Sequence, residues 1–318
     1  MKNYIGIDLG GTNIVAAVVN ENYDILSKAS IKTSCPRPDT EILSDMAMAA
    51  ESAVKEAGLT LNDIECVGVG SPGTANGETG CIEYANNLGF LNTPMSDFLN
   101  KQLGKKVYIE NDANAAALGE YLAGAARGFK SSAAITLGTG VGGGVIIDGR
   151  MLRGSNFAGA EMGHIVIEYN GRPCTCGRNG CFEAYASATG LINITREIME
   201  QNKDSLMWEL CDNKLSNVSG RTAFIAVKKN DKAGKAVCDK YIGYLACGVT
   251  NLVNIFQPEV VCIGGGISGE GEVLLAPLRE LVYAENYAKH SPKKPLLKTA
   301  ALGNNAGIIG AAMLHTLK

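Results

Sequence analysis

Ile5–Val19 reads IGIDLGGTNIVAAVV, and 128 residues further along Ala133–Ile147 reads AAITLGTGVGGGVII. In each, a short apolar run meets a glycine turn at Leu-Gly. A second apolar run then ends in a polar turn, Asn20-Glu21-Asn22 or Asp148-Gly149-Arg150. Both segments read as strand-turn-strand hairpins. A tip made of Gly and Thr brings several backbone N–H groups to an anion with no side chain in the way. Two such tips at corresponding places predict a duplicated domain with a cleft between its halves.

The surrounding pattern is that of an α/β protein. Glu41–Ala57 carries apolar residues at helical spacing and stops at Gly58. Ile64–Val69 reads as a buried strand running into Ser71-Pro72-Gly73. Lys106–Ile109 reads as another, followed by Glu110-Asn111-Asp112 and an Ala-rich helix over Ala113–Ala126. Hairpin, helix, strand, helix, strand is α/β order. In the second half Thr222–Phe256 is helical with a break near Asn230, Val260–Ile263 is a strand, and Gly303–Leu317 is a closing helix. The expected organisation is a small lobe over 1–112, completed by the closing helix at about 303–318, and a larger lobe over 113–302, with a hinge near 112–130.

Composition narrows the function. With 46% hydrophobic and 19% charged residues the 318-residue chain is not disordered. Its 29 basic and 32 acidic side chains leave a net charge of -3 with no Lys or Arg run, so no nucleic-acid surface is expected. Asp8 interrupts the only apolar stretch near the start, and no stretch elsewhere reaches membrane-spanning length. A cytoplasmic protein without membrane contact is the expectation. In that compartment most of the ten cysteines, such as Cys66, Cys238, Cys247 and Cys262, read as small buried hydrophobes.

Three segments carry candidate chemistry. Asp8-Leu9-Gly10-Gly11-Thr12 places a carboxylate at a strand end before an open turn. That suits phosphate handling, with the glycine amides and Thr12 donating to phosphate oxygens and Asp8 orienting hydrated magnesium. It equally suits a tight turn that merely binds its own carboxylate. Gly138-Thr139-Gly140-Val141-Gly142-Gly143 matches the G-x-G-x-x-G spacing, but a strand follows where a dinucleotide fingerprint needs a helix. No P-loop pattern occurs, so a bound nucleotide would need the two hairpins, with Gly264-Gly265-Gly266 as a flat surface for adenosine. Asp112, between a strand and a helix, is placed either to cap that helix or to accept a proton from an alcohol attacking a phosphoryl group.

The densest constellation lies between Glu161 and Glu183. His164 precedes Cys174 by ten positions, and Cys174, Cys176 and Cys181 follow within eight residues among glycines. This is the pattern of a Cys₃His zinc site, closed to water and therefore structural. Zinc on one nitrogen of His164 would leave the other for a ligand hydroxyl. Together with Glu161 and Glu183 that makes a set suited to a polyol.

DLGGT at Asp8–Thr12, ENDANAAALGE at Glu110–Glu120, LGTGVGGG at Leu137–Gly144 and GAEMGHIVIEYNGRPCTCGRNGCFEAYAS at Gly159–Ser187 resemble the ROK family of repressors, open reading frames and kinases. The resemblance covers essentially the whole chain, and the CxCGxxGCxE motif with its upstream Gly-His is filled at every position. It implies a duplicated ribonuclease-H-like, actin-like ATPase fold that binds ATP and magnesium and phosphorylates a sugar hydroxyl. Carried over by position, it implies Asp112 as the base for the sugar 6-hydroxyl, with Gly73, Asn87, Asn111, Glu161, His164 and Glu183 as sugar contacts. Thr12, Thr139 and Gly140 resemble phosphate-loop residues, and Gly265 and Gly266 the adenosine surface. A homodimer is implied as well.

Family repressors carry a DNA-reading domain ahead of the first hairpin, which here begins near residue 4. A kinase acting on glucose is therefore expected over a sugar-binding regulator without turnover. Another hexose or an N-acetylated amino sugar, such as fructose or N-acetylmannosamine, is the alternative substrate.

Overall fold

The computed structural model describes Met1–Leu317. The chain opens with a meander of β1 (Asn3–Leu9), β2 (Asn13–Asn20) and β3 (Ile25–Lys32). Its apolar residues alternate between two faces, as a strand covered on both sides requires. Ile5, Ile7 and Leu9 join Ile14, Ala16 and Val18 in one buried cluster, while Tyr4, Ala17 and Val19 enter another. Helix α1 (Asp39–Glu56) seals the first cluster through Ile42, Leu43 and Met46.

Strand β4 (Ile64–Ser71) then lies parallel to β1. A small antiparallel sheet follows, made of β5 (Thr74–Asn76), β6 (Cys81–Ala85) and β7 (Phe90–Thr93). After α2 (Met95–Leu103), β8 (Val107–Asn111) pairs parallel to β4 and leads directly into α3 (Asp112–Ala123). The register sets Asp8 opposite Gly70, and Gly70 opposite Glu110. The carboxyl ends of three neighbouring strands therefore present Asp8, Ser71 and Asn111-Asp112 together, which is where parallel sheets hold ligands.

The pattern then repeats. β9 (Ser132–Leu137), β10 (Val141–Ile147) and the two-residue β11 (Arg150–Met151) form the second meander. Helices α4 (Glu183–Ala186), α5 (Ala188–Gln201), α6 (Met207–Leu210), α7 (Thr222–Lys228) and α8 (Lys232–Phe256) come next. The chain ends with the fully buried β12 (Val260–Gly264), α9 (Glu272–Glu285), β13 (Leu296–Thr299) and α10 (Ala306–Ala312). The sheet orders are β3-β2-β1-β4-β8 and β11-β10-β9-β12-β13, one arrangement used twice. This is the duplicated ribonuclease-H-like α/β fold.

The chain divides into two compact units. One comprises Met1–Ala134, Gly143–Ala160 and the segment from Ala301 onward; the other comprises Ile135–Gly142 and Glu161–Ala300. The division differs from a boundary at 112/113, because α3 belongs with the first unit. Its backbone meets that of α10 so closely that a Cβ on Gly310 would stand 1.7 Å from the Ala115 carbonyl oxygen. The buried Glu120 carboxylate also accepts the N–H groups of Ala301 and Leu302 at 3.0 and 2.7 Å. The closing helix is shorter than expected: 3₁₀ turns at Gly303–Asn305 and Leu314–Thr316 flank α10, and Lys318 lies outside the described residues. Asn230 takes a left-handed conformation with φ +63°, and Asp231 caps α8 through the Gly234 N–H, which separates α7 from α8. Among the described residues no helix is long and apolar enough to cross a membrane.

Candidate functional site

In the first unit the site grows from the β8–α3 junction. Asn111, not Asp112, caps α3: its Oδ1 accepts the N–H groups of Ala113 and Asn114 at 2.9 and 3.2 Å. Its Nδ2 donates to the Gly73 carbonyl at 3.1 Å. Asp112 is the first helical residue, and one of its oxygens accepts the Ala113 N–H at 2.8 Å. Burial raises the Asp112 carboxyl above the ordinary carboxylate range, against the lowering effect of that N–H. Asp8, at the end of β1, is pushed up to about 6, first by burial and then by the nearby Asp112 carboxylate. The Asp112 charge thus adds to the cost of ionising Asp8, a cost that a cation would relieve.

The first glycine turn is tied back by its own carbonyls. Gly10 accepts from the Thr33 hydroxyl at 2.6 Å, and Thr12 accepts from the Thr33 N–H at 3.0 Å. The Gly10 N–H is used within the turn, on the Asn13 carbonyl at 2.9 Å, while Gly11 and Thr12 are exposed. A Cβ on Gly11 would stand 3.6 Å from Asn87 Nδ2, so Asn87 borders this turn, whereas Asn86 accepts from the Tyr84 hydroxyl at 3.1 Å. Gly73 has φ +89°, and a Cβ there would lie 2.0 Å from the Tyr84 carbonyl oxygen, so only glycine fits beneath β6.

The second unit builds its own cluster. The second glycine turn is pinned by the Ala188 N–H on the Gly138 carbonyl at 2.8 Å and by the Thr189 hydroxyl on the Thr139 carbonyl at 2.9 Å. Glu183, at the start of α4, accepts the Val141 N–H on Oε2 at 3.0 Å, and a Cβ on Gly140 would fall 2.3 Å from that oxygen. The other oxygen, Oε1, accepts from the Thr175 hydroxyl at 3.2 Å and the Cys174 thiol at 3.5 Å. Glu183 therefore joins the cysteine loop to the second turn. Glu161 is exposed and immediately precedes the 3₁₀ turn Met162–His164 that carries His164. Gly265 is left-handed and packs on the Leu137 carbonyl; Gly266 has open space where a side chain would be.

The donor atoms of His164, Cys174, Cys176 and Cys181 all lie within 4.8 Å of one another. His164 Nδ1 is 3.7 Å from Cys174 Sγ, and the Cys176 and Cys181 sulfurs are 3.6 Å apart. Tetrahedral zinc with Zn–S bonds of about 2.3 Å spaces its ligand atoms by about 3.8 Å, so the residues fit such an ion. Of the cysteines expected in the interior, Cys66, Cys238 and Cys262 are buried and Cys247 is half-buried.

Sequence reading passed over two residues at this site. Glu110 is buried at the end of β8, and Arg153, beyond β11, donates to its Oε2 at 2.6 Å. An acidic residue closing an apolar strand is the only local signal. Its partner 43 positions later has none.

The model of the ROK family matches residues 4–317 of this sequence. The chain belongs to the ROK family. This ROK chain is 39% identical over 315 residues to a glucokinase of Thermotoga maritima, with 98% of the chain and 96% of that protein aligned. It is 37% identical over 313 residues to a glucokinase of Halalkalibacterium halodurans, covering 98% and 94%. Among solved structures, the ROK family glucokinase from Streptomyces griseus in complex with glucose and AMPPNP is similar, with a TM-score of 0.81, 33% identity and 98% coverage of both chains.

Proposed function

We propose that the protein catalyses ATP-dependent phosphorylation of glucose at its 6-hydroxyl, giving glucose 6-phosphate and ADP. The observation that carries the mechanism is the β8–α3 junction, where Asn111 takes the capping role and Asp112 is half-buried with its carboxyl raised by desolvation. Asp112 accepts the 6-hydroxyl proton as that oxygen bonds to the γ-phosphorus, and the bond to the ADP oxygen breaks. The raised carboxyl suits the task, since a base whose affinity for protons lies nearer neutrality takes one more readily.

In this reading Gly73, Asn87, Asn111, Glu161, His164 and Glu183 hold the sugar, and Gly10, Gly11, Thr12, Thr139 and Gly140 hold phosphates. Gly265 and Gly266 form the adenosine surface. Asp8 is the carboxylate that would hold hydrated magnesium, which neutralises phosphate charge when bound. His164, Cys174, Cys176 and Cys181 would hold zinc. With four protein ligands such a site has no open position, so its contribution is to fix the loop bearing His164 and to brace Glu183. A homodimer in the cytoplasm belongs to the same reading.

The test is a panel of glucose, fructose, N-acetylmannosamine and N-acetylglucosamine with ATP or polyphosphate as donor, run on the parent and on Asp112→Asn. Glucose with ATP should give the highest kcat/KM. Asp112→Asn should lower kcat by about 10² to 10⁴ while glucose still binds by calorimetry. Preference for an amino sugar would overturn the substrate, and an active Asp112→Asn would overturn the base.

A further inference from the structure

The geometry points to Arg153 and Glu110 as positioning residues for Asp112, acting from behind the β8–α3 junction; this rests on Asp112 being the base. Glu110 is a carboxylate whose side chain is only 2% exposed, and Arg153 meets it with Nε at 2.6 Å from Oε2. Its other oxygen faces the junction. Oε1 accepts the Asn111 N–H at 3.0 Å and the Asn114 side-chain Nδ2 at 3.1 Å. Asn111 in turn caps α3 and donates to the Gly73 carbonyl. The residues immediately before and two after Asp112 are thus both bonded to one carboxylate, and that carboxylate is oriented by one guanidinium.

The chemistry explains why the pair is ionic. A charge-assisted acceptor holds N–H groups more tightly than a neutral one. A buried carboxylate keeps its charge only if it is paired, and Arg153 supplies the pairing with a directional donor. Misplacement of a catalytic group by about 1 Å can cost about 10²-fold in rate. Loosening Glu110 should therefore reduce turnover without touching any residue proposed to hold ATP.

Steady-state kinetics on Arg153→Met, Arg153→Lys and Asp112→Asn, well below the melting temperature of each, test this. Arg153→Met should lose about 10- to 100-fold in kcat with KM for ATP within about twofold of the parent. Arg153→Lys, which keeps the charge, should recover most of that loss. If Arg153→Met does not fold, the double variant Glu110→Gln/Arg153→Met removes both charges. It should again lose at least about tenfold in kcat, because the neutral amide then at position 110 has no guanidinium to anchor it. A folded Arg153→Met or Glu110→Gln/Arg153→Met variant with kcat within about twofold of the parent overturns the proposal. So does a fall in kcat matched by a rise in KM for ATP, since that reports general damage. If Asp112→Asn itself stays active, the base assignment fails instead, and the two failures are distinguishable.

Discussion

At the scale of single residues the site is governed by where charge is buried. Asp8 in the folded chain holds its proton up to about pH 6, whereas an unperturbed aspartate releases it near 3.8. Between those values the folded state binds more protons than the unfolded one, so this group's contribution to stability falls as pH rises, by on the order of 2 to 3 kcal/mol in all. Asp8→Asn removes that penalty. The melting temperature of the variant minus that of the parent should therefore grow as pH is raised from about 4 to 7 in calorimetry. Magnesium with an ATP analogue should narrow the difference by stabilising only the parent, and a difference independent of pH would contradict the argument. Stability would rise here as phosphate handling is lost, the usual trade at a working site. The sequence made Asp8 and Asp112 visible, but not the division of labour between Asn111 and Asp112 at β8–α3. Asn111 and Asp112 are both good caps and stand side by side. Only the backbone geometry, with Asn111 extended at φ -60° and ψ 143°, gives the cap to the asparagine.

At the scale of elements, the glycine turns and the cysteine loop were legible because each is local: the constraint and the residues that satisfy it are near neighbours in the chain. The small sheet of β5, β6 and β7 was not. Its strands are three to five residues long, and Tyr84 and Leu91 on its outer face are exposed, so neither length nor alternation marks it. Yet it sets two candidate residues, Gly73 against the Tyr84 carbonyl and Asn87 beside Gly11. The cysteine loop has a comparable long reach, since Glu183 connects Cys174 and Thr175 to the Val141 N–H of the second turn. Removing one thiolate should therefore be felt outside the loop. Cys176→Ser should take the zinc content from about one per chain to near none, and raise the KM for glucose by about 10-fold or more. Elemental analysis alongside kinetics checks this. A metal-free variant with an unchanged glucose KM would confine the loop's effect to itself.

For the whole molecule, the shared strand order of the two sheets is the feature the glycine tips announced, and the division into units is the feature they concealed. Residues 113–134 join the first unit through α3 on α10 and Glu120 on Ala301 and Leu302, and 143–160 through Ile146 in the cluster of Tyr4, Ala17 and Val19 and Arg153 on Glu110, approaches that link distant positions of the chain. No window of sequence contains such a constraint. The proposed sugar contacts are similarly dispersed along the sequence, from Gly73 to Glu183, and glucose should stabilise the native state by binding to it alone. A ligand that binds only the native state at about 100 times its Kd contributes about 2.7 kcal/mol. For a chain of this length that is a rise of about 4 °C in melting temperature. Glucose should give this shift in protein loaded with zinc, and N-acetylmannosamine a smaller one at the same concentration. Protein stripped of metal by a chelator should lose most of the glucose shift, because His164 and Glu183 are then no longer held by the loop. An undiminished shift after stripping would mean that the sugar is held by Gly73, Asn87, Asn111 and Asp112 without them.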